Sequence, residues 1–274
     1  TGQEKPCDPF ILTSYLRSSK QFENLIARWA MLRSAFLVCI GLLLTGFISV
    51  FITIFYPLFP HGEYTVHRIA RFWAKTCLAL SGVKVTVEGE ENIRRDTPQI
   101  VMANHQSWYD IFIMLAYIPI PFSWLAKKEL FRIPAFGIAI RRLGVIEIDR
   151  KNRPDAVKSL DSAAVRIKGG KSVVTFPEGT RSMDTSVQPF KKGVFHLALD
   201  TGVNVVPAAI VGSHEVMPKR SLRITPGKVW LVIGKPVPVA EYNAGTLENL
   251  IARARNEIIS KYNETRSCRY DSAR

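Results

Sequence analysis

An uncharged apolar run constrains this chain more than any other feature of its sequence. No Lys, Arg, Asp or Glu occurs between Arg33 and Glu63, and Leu, Ile, Val and Phe make up most of residues 35–59. As a helix, such a run is long enough to cross about 30 Å of hydrocarbon. It begins well inside the sequence and exceeds the core of a secretory signal. The run therefore predicts a membrane segment, with a buried core helix as the alternative.

The residues on both sides of this run are basic. Arg28 and Arg33 precede it, and Arg68 and Arg71 follow it. A single span usually carries its positive charge on one side, so symmetric flanks favour a helical hairpin that enters one leaflet and returns. Upstream, apolar residues at helical spacing predict an amphipathic helix, lying either at the membrane surface or against the rest of the protein. We predict a two-helix membrane anchor in residues 1–60 and an α/β domain in residues 61–274.

The charge of the chain narrows the choice of partners. Lys and Arg number 37 against 23 Asp and Glu, which gives a net charge of +14. Beside an apolar anchor, anionic lipid explains this excess most simply, because each basic residue near an anionic membrane adds about 1 kcal/mol of attraction. An acidic carrier or a phosphorylated substrate would also fit. No zinc spacing, basic zipper or aromatic RNA-binding motif indicates nucleic acid.

The four cysteines are scattered along the chain. No pair has metal-ligand spacing, so the sequence predicts neither a metal site nor another cofactor. The absence of a disulfide pattern favours a reducing compartment for the main domain.

Beyond the apolar run, strand and helix patterns alternate. Short apolar runs rich in Val and Ile predict strands at 83–88, 99–103, 122–126, 144–148, 172–176, 205–211 and 228–233. Helical periodicity occurs at 61–80, 107–118, 135–143, 154–168, 193–200 and 246–262. Strands separated by helices indicate an α/β fold with a mixed, largely parallel sheet flanked by helices.

A histidine and an aspartate lie where the second predicted strand gives way to a helix. The strand ends near Asn104, His105 follows, and the helix begins near Ser107. Ser107 and Asp110 have the spacing of a capping box, which is the structural interpretation of the aspartate. An acid in the first helical turn can also reach the histidine ring and fix its tautomer, as a general base requires. The pair is a candidate catalytic site.

Further candidates follow three other predicted strands. The strand at 172–176 leads into Pro177-Glu178-Gly179-Thr180-Arg181, where an arginine and loop amides could hold a phosphate. Lys127 and Arg150 stand at the ends of two more strands. Each of these cations, taken alone, fits an ordinary exposed loop equally well.

Together these segments resemble a known enzyme family. Residues 83–238 are similar to bacterial-type 1-acylglycerol-3-phosphate O-acyltransferases, the lysophosphatidic acid acyltransferases. The resemblance rests on four ordered blocks: Asn104-His105 with Asp110, residues 144–150, residues 176–182, and Val206-Pro207. A His-x4-Asp pair alone is a weak pattern, whereas four blocks in order over some 150 residues are a specific one.

The resemblance implies a role for each matched residue. His105 would be the general base for the acceptor hydroxyl, and Asp110 would orient it. The acceptor-binding loop would comprise Glu178, Gly179, Thr180 and Arg181, with Arg181 and Lys127 on the acceptor phosphate. Asn104, Ser107 and Arg150 would have supporting roles. The family also has an N-terminal two-helix membrane motif, in agreement with the predicted hairpin.

The implied reaction moves a fatty acyl chain from acyl-CoA or acyl carrier protein to the sn-2 hydroxyl of 1-acylglycerol 3-phosphate, giving phosphatidic acid. The enzyme would act at an anionic membrane, with its catalytic domain on the cytoplasmic face (of the inner membrane in a bacterium). One alternative is an acyltransferase with another lyso-lipid or glycerol 3-phosphate as acceptor. The other is a non-catalytic lipid-binding module. No G-x-S-x-G occurs, which argues against a serine hydrolase. A P-loop is excluded because Val165 stands where its first glycine is required.

Overall fold

The computed structural model of the protein describes residues 9–149 and 153–270. Seven strands form one sheet in the order β1-β7-β6-β2-β5-β3-β4. The β6–β7 pair is antiparallel and every other pair is parallel. The strands are β1 Val83–Glu88, β2 Ile100–Ala103, β3 Phe122–Lys127, β4 Ile146–Ile148, β5 Ser172–Thr175, β6 Val205–Val211 and β7 Gly227–Ile233. The predicted α/β class with a mixed, largely parallel sheet is confirmed.

Helices cover both faces of this sheet, as a largely parallel sheet requires. They are α1 Pro9–Phe55, α2 Gly62–Leu80, α3 Tyr109–Tyr117, α4 Phe136–Arg142, α5 Arg153–Lys168, α6 Gly193–Thr201, α7 Ser213–Val216 and α8 Leu247–Thr265. Successive side chains of a strand point to opposite faces. In β2, Val101 and Ala103 pack in the core beneath α1–α4, whereas Ile100 and Met102 pack in the core beneath α5, α6 and α8.

The N-terminal segment corrects one expectation. Where two helices were predicted within residues 1–60, α1 is a single helix that continues to Phe55. No proline occurs between Pro9 and Pro57, so nothing in the sequence stops the helix before the Pro57–Pro60 turn. The chain then returns as α2. The end of α2 lies beside α1, where the Arg33 guanidinium donates to Ser81 O at 2.8 Å. A helical pair exists, but its second helix lies beyond residue 60.

The α1 helix is both apolar and attached to the α/β unit. Within Leu25–Leu58, an 18-residue window has a mean hydropathy of 2.6 and is 11% buried, and the stretch is long enough to cross a membrane. Its other face is fixed at two places: Arg33 Nη1 donates to Ile224 O at 3.0 Å, and Thr53 Oγ1 donates to Ala135 O at 3.3 Å. A boundary between an anchor and a separate domain at residue 60 therefore stays a prediction.

Candidate active site

The two predicted chemistry-bearing segments meet at one edge of the sheet. Strands β2 and β5 are parallel neighbours, with Met102 opposite Thr175, so the loops that follow them leave the sheet side by side. Asn104 fixes the start of the first loop, because its side-chain amide donates to Ile210 O at 2.9 Å and accepts from Ile210 N at 2.7 Å. Ligand sites of open α/β sheets usually lie at this carboxyl edge.

His105 and Asp110 form a hydrogen-bonded pair at the base of this edge. The Nδ1 atom of His105 lies 2.8 Å from Oδ2 of Asp110. Asp110 is fully buried, whereas 14% of the His105 side chain is exposed. With a proton on Nδ1 facing the carboxylate, the second ring nitrogen, Nε2, is an acceptor. This arrangement has the form of a general base held in one tautomer.

The aspartate also organises the backbone of its own loop. Its Oδ2 accepts from Gln106 N at 2.7 Å and from Ser107 N at 2.8 Å. Asp110 therefore contacts the histidine and also satisfies backbone donors ahead of α3, but the predicted capping box is not formed, because Trp108 is the N-cap and makes no side-chain cap hydrogen bond. The Ser107 hydroxyl does not bond the carboxylate but donates to Met217 O at 2.9 Å. Ser107 thus ties the loop to the segment that follows α7.

The second loop contacts His105 through three residues. The Phe176 ring stacks on the imidazole with 4.1 Å between centroids and 13° between planes. Glu178 Oε1 accepts from His105 N at 2.8 Å, and Ser182 N donates to His105 O at 2.8 Å. Burial raises the pKa of Glu178 to about 8, and the nearby charge of Asp110 adds to the increase. Both the ring and the backbone of His105 are thus held from the β5 side.

The remaining residues of this loop include a cation, Arg181. Gly179 adopts φ +73°, and Lys191 lies where a side chain at this position would project. Arg181 lies over the Trp108 ring, with its guanidinium carbon 4.4 Å from the ring centroid. Its Nη1 is buried and has no hydrogen-bond partner among the residues that the structure describes. Lys219 Nζ bonds Thr180 Oγ1 at 3.3 Å. The loop thus presents one guanidinium with unused donor capacity.

Of the other two predicted cations, Lys127 lies in the described part of the chain. Lys127 is exposed at the end of β3, the strand next to β5, and so lies at the same edge of the sheet. Arg150 lies outside the described residues. Within residues 9–149 and 153–270, no group of three or more His, Cys, Asp or Glu side chains could hold a metal ion.

Several residues around the pair were missed in the sequence. Phe176 and Trp108 lie inside the candidate site segments but have no predicted role. An aromatic residue next to a functional one can indicate that it positions that residue. Gln106 accepts from the Tyr262 hydroxyl at 3.3 Å and donates to Thr185 O at 2.9 Å. No local pattern could find Tyr262, because it lies 156 residues away on α8.

Comparison with known proteins identifies the family. A family model described as "Acyltransferase" matches residues 84–211. The 1-acyl-sn-glycerol-3-phosphate acyltransferase of Borreliella burgdorferi is 31% identical over 187 residues, which is 68% of this chain and 75% of that protein. The chain belongs to this acyltransferase family.

Other members of the acyltransferase family agree. The chloroplastic 1-acyl-sn-glycerol-3-phosphate acyltransferase of Arabidopsis thaliana is 37% identical over 65% of this chain and 50% of its own length. The chain spans about half the length of such chloroplastic relatives. The crystal structure of PlsC, the 1-acyl-sn-glycerophosphate acyltransferase of Thermotoga maritima, matches with a TM-score of 0.65 and 30% identity. That match covers 82% of this chain and 96% of PlsC.

Proposed function

We propose that this protein transfers a fatty acyl chain from an acyl thioester to the sn-2 hydroxyl of 1-acylglycerol 3-phosphate, producing phosphatidic acid. The observation that carries the proposal is the His105–Asp110 pair at 2.8 Å, beside the loop that bears Arg181. The names of the bacterial, plant and animal relatives support this acceptor.

His105 acts as the base in this reaction. Nε2 takes the proton of the acceptor hydroxyl as its oxygen attacks the thioester carbonyl, and the Asp110 carboxylate stabilises the imidazolium that forms. The tetrahedral intermediate then collapses: the C–S bond breaks and the imidazolium proton passes to sulfur. The products are an oxygen ester and a free thiol, with no acyl-enzyme. A thioester has a good leaving group, so a base and correct orientation supply most of what is needed.

Arg181 binds the phosphate of the acceptor. Its buried, unpartnered Nη1 and its stacking on Trp108 leave a planar fork of donors for two phosphate oxygens. Lys127 adds a second positive charge at the same sheet edge. Glu178, Gly179 and Thr180 shape the loop: Glu178 holds the His105 backbone and Gly179 supplies the turn. Arg150 is proposed as a further phosphate contact on resemblance alone.

The protein acts at a membrane into which α1 inserts. The helix leaves large apolar side chains such as Trp29, Phe36, Leu43 and Phe47 exposed along one face. Contact with lipid is more favourable than contact with water for an apolar surface of this length. We place the α/β unit on the cytoplasmic face, because both flanks of the apolar run are basic and, with α2 returning beside α1, both lie on one side, where positive charge stays inside. Lipid, rather than nucleic acid, accounts for the net positive charge.

The direct test is thiol release from palmitoyl-CoA by the purified full chain in detergent, with and without lysophosphatidic acid. His105→Ala should lower acceptor-dependent release by ~10²–10⁴. His196→Ala, an exposed histidine on α6, is the matched control and should keep wild-type turnover.

Each other outcome has a defined meaning. Release without acceptor would make the protein a thioesterase. Release only with a different lyso-lipid or with glycerol 3-phosphate would change the acceptor, and release only from acyl carrier protein would identify the donor. No release with any donor or acceptor would contradict acyl transfer and favour a lipid-binding module.

A further inference from the structure

A short basic segment connects the membrane helix to the acceptor-binding loop. Residues 219–224, here called the basic loop, have the sequence Lys-Arg-Ser-Leu-Arg-Ile and lie between α7 and β7. One end is fixed to α1, because Ile224 N donates to Ser34 Oγ at 2.9 Å and Ile224 O accepts from Arg33. The other end is fixed to the candidate site, because Lys219 Nζ bonds Thr180 Oγ1 and the carbonyl of Arg181.

The middle of the basic loop is exposed and unpaired. Leu222 is 71% exposed, and Arg220 and Arg223 are exposed on either side of it. Neither arginine side chain makes an ion pair or hydrogen bond within the described parts of the chain. A single exposed leucine is ordinary on a soluble surface. In this protein, however, the exposed leucine lies in a segment that is attached to the apolar helix α1.

The basic loop lies at the polar boundary of the apolar helix. Arg33, which holds Ile224, is the last charged residue before the uncharged run of α1. The residues beside this attachment point, Leu32, Phe36 and Leu80, are all at least half exposed. A segment at this boundary lies at the level of the lipid headgroups, where Arg pairs with phosphate and Leu enters the upper acyl region.

We propose that the basic loop is a second membrane contact, in which Leu222 enters the bilayer interface while Arg220 and Arg223 bind the phosphates of anionic phospholipids. The inference rests on the proposed insertion of α1. The alternation of one apolar residue with two cations fits a bilayer better than a soluble phosphorylated carrier, which would leave Leu222 without a partner. Because Lys219 holds the acceptor loop, the same contact sets Arg181 near the surface from which an anionic lyso-lipid enters.

Photo-crosslinking tests the contact without any reference to catalysis. Leu222 is replaced by p-benzoylphenylalanine in the full chain, reconstituted in phosphatidylcholine vesicles with phosphatidylglycerol, and irradiated. The control position is Val165, which is 70% exposed on α5, a helix on the opposite face of the sheet. Lipid adducts should form at 222 and not at 165. Equal adduct formation at positions 222 and 165, or no adduct at 222, would overturn the proposal. Either result holds whether or not the protein transfers acyl groups.

A charge test identifies the ligand of the two arginines. Combined Arg220→Gln and Arg223→Gln should raise the apparent KM for lysophosphatidic acid in phosphatidylglycerol vesicles, by about fivefold per arginine, with kcat and the acyl-CoA KM unchanged. Lys168→Gln with Arg253→Gln, which removes the same charge at exposed positions of α5 and α8, should leave the KM unchanged. A rise in the acyl-CoA KM alone would assign the loop to the donor. An equal loss in detergent would make its role structural, and either result would overturn the proposal.

Discussion

The Arg181 guanidinium lies over the Trp108 indole, 4.4 Å from the ring centroid, although the two residues belong to different loops. The stack holds a planar cation beside His105 in an orientation that its own backbone could not impose. It joins the loop that carries the proposed base to the loop that carries the proposed phosphate ligand. We therefore expect the proposed acceptor binding and proton transfer to be coupled through this contact.

Arg181→Ala should raise the KM for lysophosphatidic acid by about 10–100-fold, because charge-assisted hydrogen bonds to the phosphate are lost. Arg181→Lys should recover only part of this, since lysine keeps the charge but neither stacks as a plane nor binds in bidentate fashion. Steady-state kinetics with each substrate varied in turn gives both values. An unchanged acceptor KM in Arg181→Ala would remove this residue from the phosphate site.

Asp110→Asn should lower kcat by ~10²–10⁴ while the protein stays folded. An amide oxygen at the position of Oδ2 can still accept from Gln106 N and Ser107 N, so the loop keeps its backbone bonds. The negative charge that stabilises the imidazolium is lost. Turnover is measured together with the melting temperature, and Asp200→Asn at an exposed position of α6 serves as the control. Wild-type kcat in Asp110→Asn would exclude the proposed electrostatic role.

Phe176→Leu should lower kcat by about three- to tenfold, since a stacked ring contributes ~0.5–1.5 kcal/mol beyond its burial. The imidazole would then sample orientations that point Nε2 away from the acceptor. Phe176→Tyr keeps an aromatic ring and should retain most of the wild-type kcat. If leucine and tyrosine variants turned over equally, the stack would have no part in positioning His105.

Glu178 should make the stability of the fold depend on pH. In the unfolded chain this carboxyl titrates near 4.5, whereas in the folded protein its pKa is about 8. Between these values the folded state holds a proton that the unfolded state has released, so the free energy of unfolding falls as pH rises from about 5 to 8. Glu178→Gln should remove this part of the slope, because glutamine does not titrate.

Chemical unfolding of both proteins across this pH range measures the difference. Glutamine retains an oxygen for His105 N, so loss of the hydrogen bond does not complicate the comparison. Parallel pH profiles for wild type and Glu178→Gln would contradict the raised pKa.

Local features of the sequence were sufficient for the strands and for the contact between the two proposed catalytic residues. The strands at 83–88 and 205–211 have their predicted bounds, because apolar strand patterns and the glycines near their ends act over a few residues. His105 and Asp110 are five residues apart, so a strand end followed by a helical turn brings them together almost regardless of the rest of the fold. The apolar run likewise predicted the helical part of α1 that it forms.

Contacts between distant segments were decided by the tertiary structure alone. Glu178 and Phe176 reach His105 because β5 pairs with β2, and a strand's pattern does not specify its neighbour. Tyr262 reaches Gln106 from α8 for the same reason. The single long α1 follows from the absence of a helix breaker, which outweighed the change in composition at Arg33. The periodicity that predicts a helix or strand depends on a few neighbouring residues, whereas strand order and loop contacts depend on the packing of the whole chain.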